Sequence, residues 1–245
     1  MKTIQKALTV SFLFLATLVT NAQTADEIID TYFTNIGGKD KLAKIDGFKM
    51  NMTTNYNGME IPVEVYNNKV GKMYVKINFQ GKDITQLAFD GNKGWSTNFM
   101  TMKAEEMDSE TSENMLSQIA DFPDPFLNYK AKGYTVEMLG KETKEGTECF
   151  KIKLTKKPVK VDGKMVDNVT FYYFETENYV PILTETEIQQ GPMKGQMSKS
   201  TMGDYQEVEG MYFPFSINQG GQAMVVKKIE INPTVDTKVF EMPTE

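Results

Sequence analysis

From Phe48 to Phe99, apolar and polar positions alternate with a period of two. Phe48, Met50, Met52, Thr54 and Tyr56 share one parity, and the Asn57-Gly58 that follows is the strongest short-range hairpin signal a sequence carries. Ile61, Val63 and Val65 resume the alternation, and Met73, Val75, Ile77 and Phe79 repeat it. Gly81-Lys82 and Asp90-Gly91-Asn92 supply the next turns. Side chains alternate faces along a strand, so the stretch predicts an antiparallel meander with one apolar face that another part of the chain must cover.

Two covers are predicted. Residues 25–36 have helical spacing, with Thr24 as N-cap, Asp26 and Glu27 in the first turn, Ile28, Ile29, Tyr32, Phe33 and Ile36 on one face, and Gly37-Gly38 as the stop. Residues 40–45 add another helical turn or two. After Trp95 the period of two is lost: over 103–120, Met107, Thr111, Met115 and Ile119 fall on one i+4 row with Leu116 beside them. This spacing predicts a second amphipathic helix, capped by Asp108 or Ser109. Phe122-Pro123-Asp124-Pro125-Phe126-Leu127 cannot be helical throughout, and predicts a mobile or closely packed connection rather than a linker between domains.

Strands resume at 134–141, 147–155, 166–175, 180–189, 196–206, 211–218 and 223–232, separated by turn-forming pairs such as Glu145-Gly146 and Gly220-Gly221. About a dozen strands exceed what an open flat sheet holds, so the fold class is mainly β (α+β), a strongly curved antiparallel sheet or partial barrel covered by an N-terminal helix and a mid-chain helical lid.

Composition narrows the chemistry. Residues 1–22 read as a secretory signal peptide: Lys2 and Lys6, an apolar run from Ala7 to Val19, and small residues at Thr20-Asn21-Ala22. Leaving them out takes 245 residues and 27 lysines to 223 and 25, against 33 carboxylates, a net charge of −8. Residues 23–245 then form one domain, exported to the periplasm or secreted, with no later segment apolar enough to span a membrane as a helix. An acidic balance argues against nucleic acid. The chain has no histidine, and all its basic residues are lysine. That excludes Ser-His-Asp and Cys-His catalysis and the usual zinc ligand sets, and removes the bidentate arginine clamp for carboxylate or phosphate. Cys149 is the only cysteine, alternates with Lys151 and Lys153 opposite Phe150, Ile152 and Leu154, and is predicted to face outward or lie at an edge. No catalytic residue, metal or cofactor is assigned, and the chain reads as a non-enzyme. A hydrolase built on a carboxylate pair is chemically open, but no spacing promotes a particular pair.

What remains is the apolar face. Past Met1, 16 of the 17 methionines lie in the chain, and Met50, Met52, Met59, Met73, Met115 and Met138 fall at predicted inward positions. Methionine fills cores and also lines surfaces that accept flexible apolar ligands. The candidate lining of an apolar cavity is Met50, Met52, Val63, Val65, Met73, Val75 and Ile77 from the meander, and Trp95 at its end. The predicted lid adds Met115, Ile119, Phe122 and Phe126, and the later strands add Phe171 and Tyr173. Lys156-Lys157-Pro158-Val159-Lys160-Val161-Asp162-Gly163-Lys164 is the one basic run, either a solvated hairpin tip or a dock for an anionic membrane or acidic partner.

Four blocks, in order, resemble a known family. They are Ala25-Asp26-Glu27-Ile28-Ile29-Asp30 through Ile36-Gly37-Gly38-Lys39-Asp40-Lys41-Leu42; Ala88-Phe89-Asp90-Gly91-Asn92-Lys93-Gly94-Trp95; Asp204-Tyr205-Gln206-Glu207-Val208-Glu209-Gly210-Met211-Tyr212-Phe213-Pro214; and Val239-Phe240-Glu241-Met242-Pro243. They look like the exported outer-membrane lipoprotein-sorting-like proteins of Gram-negative bacteria, in the LolA/LolB-like lipoprotein-carrier superfamily. The resemblance implies a half-barrel closed by helices around a cavity for the acyl chains of a lipid or lipoprotein. The carriers depend on an arginine in the lid-closing network, which this chain lacks, and no cysteine near the predicted cleavage junction could take a lipid anchor. Two functions follow as expectations: a periplasmic carrier of an apolar ligand, or a ligand-free structural or interaction module with an envelope protein as partner.

Overall fold

The computed structural model describes residues 23–243. The predicted signal peptide, 1–22, lies outside the described residues. Helix α1 (Ala25–Asn35) forms where its sequence says it should. Thr24 closes a capping box, its hydroxyl accepting from the Glu27 backbone N–H while Glu27 Oε2 accepts from the Thr24 N–H at 2.8 Å. Ile28, Ile29, Tyr32 and Phe33 are buried on one face. The chain then turns at Gly37 with φ 114°, where a Cβ would meet the Gly210 carbonyl oxygen, so only glycine fits both the backbone conformation and the space. Helix α2 (Lys39–Leu42) leads into the sheet.

Thirteen strands form one antiparallel sheet that does not close. The first six are β1 (Gly47–Tyr56), β2 (Met59–Asn68), β3 (Lys72–Phe79), β4 (Lys82–Asp90), β5 (Gly94–Asn98) and β6 (Lys103–Glu106). Helix α3 (Ser109–Gln118) and a 3-10 turn at Ile119–Asp121 follow. The remainder are β7 (Thr135–Lys144), β8 (Thr147–Val161), β9 (Lys164–Glu175), β10 (Pro181–Glu187), β11 (Met197–Val208), β12 (Met211–Gln219) and β13 (Gln222–Ile231). Their spatial order is β6-β5-β4-β3-β2-β1-β13-β12-β11-β10-β9-β8-β7, two meanders joined where β1 pairs with β13.

Antiparallel order sends alternate turns to opposite ends. The turns at 57–58, 80–81, 99–102, 162–163, 188–196 and 220–221 share one end; those at 69–71, 91–93, 145–146, 176–180 and 209–210 share the other. Helix α1 and its continuation plug the second end. The Tyr212 N–H donates to the Ile36 carbonyl at 3.0 Å, Lys41 Nζ to the Gly210 carbonyl at 3.1 Å, and Asn35 Nδ2 to the Asn178 carbonyl at 2.7 Å. Beneath α1, Phe126, Phe150, Ile152, Leu154 and Phe174 are buried. The proline-broken segment is therefore packed: Phe126 lies edge-on to Tyr172 with centroids 4.7 Å apart.

Three expectations are corrected. The helix predicted over 103–120 occupies only its second part. Lys103–Glu106 is a strand because it completes the free edge of β5, pairing from Asn98↔Lys103 to Trp95↔Glu106, and that hydrogen bonding overrides a polar, helix-compatible tetrapeptide. The strand predicted over 147–155 continues through the basic run to Val161, carried by pairs such as Val159↔Val166. Met59, expected inward, sits exposed beside the Asn57-Gly58 turn.

Candidate ligand groove on the inner face

The inner face of the first meander is a lattice of apolar side chains in register. Leu87, Val75, Val65, Met50 and Ile229 lie opposite one another across β4, β3, β2, β1 and β13. Ile84, Ile77, Val63, Met52 and Val226 make the next row. Such cross-strand neighbours stand within contact distance and ordinarily vanish under a cover. Here Met52, Val226 and Ile229 are buried, but Met50, Val63, Val65, Met73, Val75 and Ile77 are only half-buried. The face is apolar and incompletely covered, with Met50, Val63 and Val65 packed at the margin of the buried core.

Helix α3 crosses it as a loose cover. Asp108 caps it, Oδ1 accepting from the Thr111 N–H at 2.8 Å, and none of its residues is buried. At its far end the Ile119 side chain lies on the Gly71 backbone of the β2–β3 turn, leaving no room for a Cβ there. On the other side it is tied to the β8–β9 tip. Asn114 Nδ2 donates to the Lys160 carbonyl at 2.7 Å while Asn114 Oδ1 accepts from the Lys160 N–H at 3.1 Å. The Glu110 carboxylate accepts from the Asp162 and Gly163 N–H groups at 2.9 and 2.8 Å. The lid thus bridges β2 and β8, which have six other strands between them in the sheet, with Met115 and Ile119 half-buried between the two.

Under this lid a cleft of about 140 Å³ opens between Asn67, Met73, Met115, Ile119 and Phe122. Among the described residues, the only buried side-chain polar atom without a hydrogen-bond partner is Asn67 Oδ1, on this cleft's wall. An unpaired buried acceptor costs about 1–3 kcal/mol. Across the inner face, Tyr172↔Thr184 and Thr170↔Thr186 pairing continues into Thr184↔Ser200 and Thr186↔Ser198, so the opposite wall carries hydroxyls, with Thr186 Oγ1 3.3 Å from Thr170 Oγ1.

Charged groups near the groove serve the connection beneath it. Burial raises the Asp124 carboxyl above its ordinary range, although Tyr32 Oη donates to Oδ2 at 2.7 Å and the Phe126 N–H to Oδ1 at 2.8 Å. Burial lowers the Lys132 ammonium, which donates to the Asp124 carbonyl at 3.1 Å. Asp121 takes Tyr134 Oη at 2.9 Å and Lys156 Nζ at 2.5 Å, anchoring the strand leading to the lid's far attachment. Among the described residues, no cluster of three or more Cys, Asp or Glu side chains is placed to hold a metal.

The residues expected to line the cavity divide. Met50, Met52, Val63, Val65, Met73, Val75, Ile77, Met115, Ile119 and Phe122 share the inner face or the lid, with Phe122 5.5 Å from Phe48. Phe126 belongs to the packed plug under α1. Trp95, Phe171 and Tyr173 lie on the opposite side of the sheet. Trp95 packs with Tyr66, Tyr74, Ala88 and Phe240, its indole N–H donating to the Phe240 carbonyl at 3.1 Å, so it anchors the C-terminal segment across the outer face. Tyr173 packs with Cys149 and Leu183, and Phe171 rests against this cluster under Lys151. Cys149 faces outward by parity yet is fully buried there.

No family model matches the sequence, and no curated protein matches it significantly. Solved structures do. A LolA superfamily protein from Nitrosomonas europaea superposes with TM-score 0.53 at 14% identity, covering 90% of this chain and 98% of that one. The chain has a LolA-like fold. A DUF1329 family protein from Desulfovibrio piger follows at TM-score 0.47 and 11% identity, covering 87% of this chain and 97% of that one. A domain assigned to outer-membrane lipoprotein sorting from Vibrio parahaemolyticus follows at 0.44 and 12%, covering 87% and 94%. In this version of the LolA-like fold the lid is fastened without arginine: Asn114 and Glu110 clasp backbone groups at the tip of the long β8–β9 hairpin. Glu110 and Asn114 escaped the sequence reading because their partners are backbone amides some fifty residues away, with no complementary side chain to point to them.

Proposed function

We propose that the protein is an exported carrier that holds the acyl chain of a lipid or lipoprotein against the inner face of its sheet, under α3. The observation that carries this reading is the partly exposed apolar row from Leu87 to Met50, covered by a helix that buries none of its own residues. The shared fold with a LolA superfamily protein supports it. The cleft of about 140 Å³ is smaller than the ~300–1,000 Å³ of typical small-molecule sites, so a chain enters only as α3 lifts. Burying a dozen methylenes gains roughly 10 kcal/mol against water at about 0.8 each, but a bilayer offers nearly the same burial. Exchange is then governed by the lid and by the ligand's polar group, for which Asn67 Oδ1 and the hydroxyl wall are the complementary partners. No step of this function is chemical. Titration with an environment-sensitive fluorescent fatty acid is expected to give saturable, one-to-one binding that unlabelled long-chain lipid competes away. Absence of saturation would overturn the reading.

A further inference from the structure

The two ends of the half-barrel differ in a way that ligand storage alone does not explain. One end is plugged by α1 and the buried core. At the other, the turns of successive hairpins expose Met59, Phe99, Met100, Met102, Met165 and Met193, with Met100 93% and Met165 65% accessible. Hairpin tips in a monomeric soluble protein are usually built from Gly, Asn, Asp and Ser; large apolar side chains there have no folded-state partner.

Charged side chains flank these apolar tips. Lysines stand directly beside the exposed methionines in Met102-Lys103, Lys164-Met165 and Met193-Lys194, and Lys82 follows the 80–81 turn. Glu60, Asp83, Asp162 and Glu187 stand at the same tips, and the Glu110 carboxylate rests on the 162–163 turn, so the lysines are interspersed with carboxylates. Methionine or phenylalanine adjacent to lysine suits a bilayer interface, where the apolar side chain enters the acyl boundary and the ammonium stays among the phosphates. These tips also border the unplugged end of the apolar lattice, where Ile77 and Ile84 are half-buried.

We infer that the rim formed by the 57–58, 99–102, 162–163 and 188–196 turns docks on a phospholipid bilayer with anionic headgroups, presenting the groove's open end to the membrane. The inference deepens the carrier reading and rests on it for its purpose, but its test is separate. Full-length mature protein is floated with vesicles of phosphatidylglycerol and, separately, of phosphatidylcholine, and the same preparations are titrated with the soluble fluorescent fatty acid. Binding is expected to anionic vesicles, weakened by salt, and reduced about ten-fold or more in a Phe99→Ser/Met100→Ser/Met102→Ser variant and by Lys82→Glu/Lys194→Glu. Both variants change exposed tips and are expected to keep wild-type fatty-acid affinity. No co-flotation, or co-flotation unaffected by either variant, overturns the docking surface while leaving the groove standing. Loss of fatty-acid binding with vesicle binding intact overturns the groove and not the rim.

Discussion

Asp124 is the residue on which the packing beneath the groove turns. Burial is the largest influence on it and raises its pKa from 3.8, against the opposing hydrogen bonds from Tyr32 and the Phe126 backbone. A carboxyl whose folded pKa lies above its unfolded value contributes most at low pH, and that contribution is lost as pH rises through the folded value. The Asp124 carboxyl carbon is therefore expected to titrate above 3.8 in NMR spectra of the folded protein; a midpoint at or below that value would contradict its placement. Asp26 has the opposite sign. Hydrogen bonds from Lys130 and Tyr129 lower its pKa, so its contribution is lost as pH falls. Single residues were also where the sequence misled. Phe171-Tyr172-Tyr173-Phe174 is aromatic at both parities, so alternation alone cannot choose its inner pair, and a one-residue slip moves the whole set to the other face. The register Ile152↔Tyr172 decides it, turning Tyr172 and Phe174 inward and leaving Phe171 and Tyr173 outside. Trp95 failed for the same reason, since it pairs with Ala88 and shares that residue's outer face.

At the scale of elements, α1 and the meander were legible because their signals are local: a capping box, an i/i+4 face, Asn-Gly and Gly-containing turns. Helix α3 was legible in type and in its Asp108 cap, but its start was not, because Lys103–Glu106 answers to the edge of β5 rather than to its own propensity. Its fastening was invisible, since Asn114 and Glu110 engage backbone groups of Lys160, Asp162 and Gly163. Each such bond contributes about 0.5–1.5 kcal/mol net, and no residue of the helix is fully buried behind them. Replacing both residues, Glu110→Ala with Asn114→Ala, removes four such bonds and is expected to speed release of a bound fluorescent fatty acid by more than ten-fold in stopped flow. An unchanged release rate would mean that α3 does not gate the groove.

For the whole molecule, curvature was legible from strand number, since flat open sheets of thirteen strands are unusual. The joining of the two meanders through β1 and β13 did not follow, because nothing local in the 48–56 or 223–232 segments names the other as partner. The same holds for the asymmetry of the ends, which appears only when alternate turns are gathered by topology. The central claim is that the inner face holds an acyl chain, and native mass spectrometry of protein purified without detergent tests it most directly. The account predicts a complex with one acyl-bearing lipid that disappears in a Val63→Trp variant, whose indole fills the half-buried inner row. A wild-type protein found only at its bare mass, or an adduct that persists in the filled variant, would contradict it.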